Sequence, residues 1–189
     1  MVAATAVDQL LNSAQAGVYG VAYVYCNYKS QADQGPLSIL AAILKQLVQT
    51  RPSALGPVEE LHQKHAGRGT KPSLDDIYSA LRVIVAQYPY VYVVVDALDE
   101  CQSETRSQLL AKLFDLQKSA DVRLMATSRF VPDVEDAFRS ALRLEVAASD
   151  EDVKQFVAGQ MYRLPGCVRQ NVTLQELVQE RVVEAVDGM

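Results

Sequence analysis

The chain has 189 residues, of which 49% are hydrophobic and 22% charged, with a formal net charge of −5 and a pI near 5.0. That length holds one domain, or one and part of another, in an ordinary globular balance. The acidic charge argues against generic nucleic-acid binding, and no apolar run approaches the ~20 residues of a membrane span. The three cysteines, Cys26, Cys101 and Cys167, make no zinc or CxxC spacing and read as reduced thiols. The N-terminus lacks a basic segment before an apolar core, so no signal peptide is expected and the location expected is cytoplasmic.

In chain order, residues 2–15 place Val2, Ala3, Ala6, Val7, Leu10, Leu11 and Ala14 at helical spacing. Gly17 and Gly20 bracket a turn, and Val21 to Cys26 reads as a strand. Pro36 opens a helix through Leu37, Leu40, Ile43, Leu44, Leu47 and Val48, which Pro52, Gly56 and Pro57 end. A short polar helix to about His65 and a loop at Gly67–Pro72 follow. His62 and His65 are three apart on that helix, but no third ligand is near in sequence, so both are expected at the solvated surface. Ser73 with Asp76 marks a capping box for a helix to about Gln87.

Val91 to Asp96 is the central strand. Residues 104–119 form an amphipathic helix, Val122 to Ala126 a strand ending in Thr127-Ser128-Arg129, and Pro132 to Phe138 a short helical connection. Leu142 to Val146 reads as a last strand. Ser149-Asp150-Glu151-Asp152 then caps a helix through Val153, Phe156, Val157 and Met161, and a final helix spans roughly Leu174 to Val186. Strands alternating with helices predict an α/β fold with a mostly parallel sheet covered on both faces. The alternation stops near Ala147–Ser149, which places a boundary there: 1–147 as the α/β core and 148–189 as a helical region.

Chemistry concentrates in Val91-Tyr92-Val93-Val94-Val95-Asp96-Ala97-Leu98-Asp99-Glu100. Packing explains the apolar run but not three carboxylates in five residues at its end. The carboxyl ends of parallel strands are where ligands bind. Asp96 there has the position of a Walker B aspartate, which holds Mg²⁺ on nucleotide phosphates, and Glu100, or Asp99 beside it, suits polarisation of an attacking water. Thr127, Ser128 and Arg129 end the next strand, where a polar pair and a guanidinium fork on the same sheet edge as Asp96 suit a γ-phosphate. The phosphate cradle G-x-x-x-x-G-K-[ST] is absent. Gly67-Arg68-Gly69-Thr70-Lys71 does not replace it, lacking a Gly-Lys pair and a preceding strand, with Pro72 where a helix would donate amides. Tyr19, Tyr23, Tyr25 and Tyr28 read as strand packing.

Together these segments resemble the NACHT domain of STAND-class P-loop NTPases, in particular the nephrocystin-like N-terminal type of fungal proteins with ankyrin or other repeats. The matching stretches are Val21–Lys29, Tyr92–Cys101, Leu124–Phe130, Ala148–Val153 and the tail Val183–Met189. The resemblance implies an ASCE-type sheet followed by the start of a helical lid, in an ATP- or GTP-controlled signalling switch of self/non-self recognition or cell death. It implies Asp96 as the Mg²⁺ ligand, Asp99 and Glu100 as the catalytic acidic pair positioning water, and Arg129, with Ser128, at the γ-phosphate.

In that family the Walker A loop immediately precedes the helix that here is residues 2–15. The chain therefore reads as an internal slice lacking the first strand and its Gly-Lys-Thr, with weak or no nucleotide binding expected. The alternative is a degenerate, non-hydrolysing interaction module that self-associates or pairs with full-length relatives. A third reading is an unrelated doubly wound enzyme using the carboxylates for metal chemistry.

Overall fold

A computed structural model describes residues 2–13, 18–147 and 149–186. The last two positions of the first predicted helix, Gly17 of the first turn, Ala148 and the terminal Asp187-Gly188-Met189 lie outside the described residues. The elements of the first part are α1 (Val2–Ser13), β1 (Gly20–Tyr25), α2 (Pro36–Thr50), α3 (Gly56–Ala66), α4 (Leu74–Val85), β2 (Val91–Asp96), α5 (Ser103–Ser119), β3 (Val122–Ala126) and α6 (Pro132–Ala137). They are followed by α7 (Asp150–Gln160), α8 (Gly166–Arg169) and α9 (Val172–Val186). The chain divides into two compact units, Met1–Arg139 and Ser140–Met189.

The first unit is an α/β fold on a parallel three-stranded sheet in the order β1-β2-β3. β2 is central because it can be buried on both faces: Val91, Val93, Val94 and Val95 are all buried. Register then sorts the side chains, since neighbours alternate faces. Tyr23, Val94 and Met125 stand abreast and meet Ala3, Val7 and Leu10 of α1. Ala22, Val93 and Leu124, and then Val24, Val95 and Ala126, face the larger core on the opposite side. There α2 contributes Ile39, Leu40, Ile43, Leu44 and Leu47, α4 contributes Leu81 and Ile84, and α5 contributes Leu109 and Leu113.

Local signals explain several boundaries. Pro36 begins α2 at a position whose amide has no helical partner. The capping box at α4 forms as expected: Ser73 Oγ accepts from the Asp76 amide, and the Asp76 carboxylate accepts from the Ser73 amide at 3.0 Å. Lys64 adds an ion pair to Asp76 at 2.6 Å. Gly67–Pro72 is a loop, with Gly69 at φ +62°. His62 is exposed as expected. His65 is partly buried, its Nδ1 2.8 Å from Thr70 Oγ1, because the loop folds back over α3. Among the described residues no group of three potential ligands is placed to hold a metal.

The predicted strand Leu142 to Val146 does not form. Residues 142–147 carry no regular structure, and Leu142, Leu144 and Val146 are 106%, 83% and 62% exposed. Alternating β-formers describe a surface that fits a sheet; they do not supply the neighbouring ladder a strand needs. In the second unit, α7 starts at a capping box formed by Ser149 and Asp152. Val153, Val157 and Met161 pack against Leu164, Val178, Val182 and Val183 in a core of their own.

Candidate functional site at the carboxyl ends of the strands

β2 ends at Asp96, and the backbone turns there in an uncommon way. Ala97 has φ +52° and ψ +49°, a left-handed conformation that L-residues other than Gly, Asn and Asp rarely adopt. The turn drops Leu98 into the core, fully buried, and begins a short 3₁₀ turn, Leu98–Glu100. Asp99 and Glu100 are thereby set over the ends of β3 and β1 respectively.

Thr127, the first residue past β3, fastens this turn. Its hydroxyl donates to Asp96 Oδ1 at 2.5 Å and accepts from the Ala97 amide at 3.0 Å. Its carbonyl accepts from the Leu98 amide at 2.8 Å, and its amide donates to the Val95 carbonyl at 2.9 Å. One residue thus satisfies the backbone of the left-handed step and fixes the Asp96 rotamer.

Asp99 and Arg129 are brought together, and they bind each other. The Arg129 amide donates to Asp99 Oδ1 at 3.1 Å and Nε donates to Oδ2 at 2.6 Å. The Asp99 side chain is 5% exposed and that of Arg129 82%. Burial pushes the Asp99 carboxyl up, but the two hydrogen bonds and the charge of Arg129 outweigh it and hold the group below the usual carboxylate range. The same pairing raises Arg129. Glu100 faces β1: its Oε2 accepts from the Tyr28 amide at 3.0 Å and its carbonyl accepts from Gln31 Nε2 at 2.7 Å. Ser128 is exposed and its hydroxyl donates to the Arg129 carbonyl at 2.6 Å.

Cys26 and Cys101 lie beneath the same cluster. The Cys26 amide donates to the Asp96 carbonyl at 3.0 Å, and its sulfur shares a hydrogen bond with Cys101 Sγ at 2.7 Å. That bond, with help from burial, pushes the Cys26 thiol up. It draws Cys101 down against its own burial, with the Arg106 charge acting the same way. Arg106 is buried and ties the region to Asp133 at 3.2 Å.

An open cavity of about 540 Å³ lies on the α1 face, lined by Gln9, Leu10, Tyr19, Tyr92, Arg123 and Met125 among others. Asp96, Asp99 and Arg129 are not on its wall. Tyr19 stacks on Tyr90 at 5.1 Å and the Arg123 guanidinium covers Tyr90 at 4.3 Å. Tyr23 and Tyr25 meet edge to face at 5.7 Å. Ring packing therefore accounts for Tyr19, Tyr23 and Tyr25, while Tyr28 is exposed.

Ala97 and the cysteine pair were not singled out by their sequence positions, and Thr127 was read only as one of a polar pair at a phosphate, not as the fastener of the turn. Two signals existed: a hydroxyl opening the polar end of β3, and one cysteine following each of two strand ends that a parallel sheet places side by side.

No curated protein and no solved structure matches the chain. A family model described as "Nephrocystin 3, N-terminal" matches residues 1–129, a span that takes in α1, all three strands and the cluster up to Arg129. With about two thirds of its length so matched, the chain belongs to the nephrocystin 3 N-terminal family.

Proposed function

We propose that the chain is the Walker B and sensor half of a NACHT-type, nucleotide-controlled signalling switch of the STAND class. The observation that carries this reading is the convergence of Asp96, Asp99 and Arg129 at the carboxyl ends of two adjacent parallel strands, the edge at which such sheets receive ligands. Asp96, held in one rotamer by Thr127, suits the Mg²⁺ ligand. Mg²⁺ commonly takes one or two carboxylates and completes its shell with waters and substrate phosphates, so a single protein carboxylate fits that ion. Bound there, it would neutralise phosphate charge.

The roles of this chain's own residues follow from their present partners. Asp99 and Arg129 satisfy each other. For Arg129 to meet a γ-phosphate it exchanges one anion for another, freeing Asp99 to orient water. Glu100 has its carboxylate on the Tyr28 amide and acts by positioning β1 relative to the turn. ATP or GTP is the ligand class, and the grip on its phosphates falls to a G-x-x-x-x-G-K-[ST] segment that the 189 residues do not contain.

The 189-residue chain is therefore expected to bind nucleotide weakly or not at all. Calorimetric titration of the chain with ATP and with GTP in the presence of Mg²⁺ tests this; a micromolar dissociation constant would overturn it. A gain of such affinity when an upstream strand and G-x-x-x-x-G-K-[ST] segment is joined before Met1, lost again in Asp96→Asn, supports the switch.

A second reading, a non-hydrolysing module that self-associates or pairs with larger relatives, is favoured by β3. This strand ends the sheet among the described residues and is less buried than β2. Analytical ultracentrifugation separates the two: a concentration-dependent dimer without nucleotide supports the module.

A further inference from the structure

Cys26 follows β1 and Cys101 follows the carboxylate turn after β2, so the two are distant in sequence and adjacent in the sheet. Both are 6% exposed, and their sulfurs lie 2.7 Å apart. Each sits on anchored backbone. The Cys26 amide is bonded to Asp96, the Cys101 amide to the Leu98 carbonyl at 3.3 Å, and the Cys101 carbonyl to Arg106 Nη1 at 3.3 Å. Two thiols held face to face need less than about one ångström of approach to reach the ~2.0 Å of a disulfide. The third cysteine, Cys167, is exposed and belongs to the other unit.

We propose that Cys26 and Cys101 are a reversible disulfide-forming pair whose oxidant is a hydroperoxide. One sulfur of the pair, as its thiolate, attacks the distal peroxide oxygen, giving a sulfenic acid and releasing water or an alcohol. The facing sulfur then attacks that sulfur and displaces hydroxide, which leaves as water with the facing thiol's proton. With hydrogen peroxide, two thiols lose two electrons and two protons, and the peroxide becomes two waters. The product ties the exit of β1 to the turn that bears Asp99 and Glu100, closing a long loop through the sheet. It goes beyond the nucleotide reading and does not depend on it.

The test uses the whole chain carrying Cys167→Ser, so that the exposed thiol does not exchange. After hydrogen peroxide, quenching and alkylation, non-reducing peptide mapping is expected to show one Cys26–Cys101 linked peptide, two hydrogens lighter than its parts and lost with dithiothreitol. The oxidised chain is expected to unfold at a midpoint about 10 °C higher than the reduced one, a difference absent in Cys101→Ser. Recovery of both cysteines alkylated, or as separate sulfinic or sulfonic acids, overturns the proposal. So does a linked peptide without any rise in the unfolding midpoint, since the link would then have formed in unfolded chains. If Cys101→Ser does not fold, the dithiothreitol reversal on the parent chain decides alone.

Discussion

Ala97 is the only described non-glycine residue with positive φ, and it stands between the Asp96 and Asp99 carboxylates. A left-handed L-residue costs about 1–2 kcal/mol, and here the Thr127 bonds over-determine it. Glycine would remove the steric penalty but add freedom to the unfolded chain, a loss of about 0.5–1 kcal/mol. Ala97→Gly is therefore expected to leave stability unchanged or raise it by up to about 1 kcal/mol in urea titration. A loss of more than about 1 kcal/mol would show that Ala97 is not strained. Asp99 gives a pH dependence with a fixed sign. Its folded-state value lies below the ordinary carboxylate value of about 3.9, so its contribution is complete above that pH. It is lost as pH falls further through the folded-state value. Unfolding followed between pH 6 and pH 2 should show a steeper acid loss for the parent chain than for Asp99→Asn; identical slopes would remove Arg129 as the cause. Neither feature was readable from the residues alone. Asp96, Asp99 and Arg129 announced themselves by charge at strand ends. Thr127 stood out only as half of a polar pair; its hydrogen bonds to Asp96 and Ala97 cross two strands, and only the register creates them.

Elements whose cause is local agree closely with their patterns. α4 begins where Ser73 and Asp76 cap it, α2 begins at Pro36, and β2 follows its apolar run. Leu142 to Val146 failed because a strand's cause is not local. Its alternating side chains fit a sheet face, but no described strand pairs with it. β1 shows the opposite case, in which packing sets a residue with no pattern of its own. A Cβ on Gly20 would come within 2.7 Å of Leu47 Cδ2 and 3.1 Å of Val91 Cγ2, both on fully buried side chains. Gly20→Ala is expected to destabilise the chain by about 1–3 kcal/mol through overpacking between β1, α2 and β2. Thermal unfolding within about 0.5 kcal/mol of the parent would mean that Leu47 yields freely.

At the scale of the molecule, the two units each carry a core, and residues 140–147 between those cores have no regular structure. Limited trypsin digestion is expected to cut first between Arg139 and Ala147 and to leave a persistent fragment ending near residue 139; first cleavage inside α2 or α5 would contradict the division. The fold class was legible from alternation alone, and the three parallel strands agree with it. The stopping point of the alternating pattern near Ala147–Ser149 marks the end of the apolar stretch, while the compact units part at Arg139.

The strand order also sets an order in time. Gly20 pairs with Val91, whereas Val91 pairs with Val122. Closing the second loop immobilises less than half as much chain as the first, and loop closure must be met before any non-local contact rewards it. The β2–α5–β3 unit is the expected nucleus, with β1 and α2 docking after the rate-limiting barrier. Stopped-flow refolding checks this. Leu113→Ala should slow folding, while Ile43→Val should mainly speed unfolding. The reverse pattern would place the nucleus on the long closure instead.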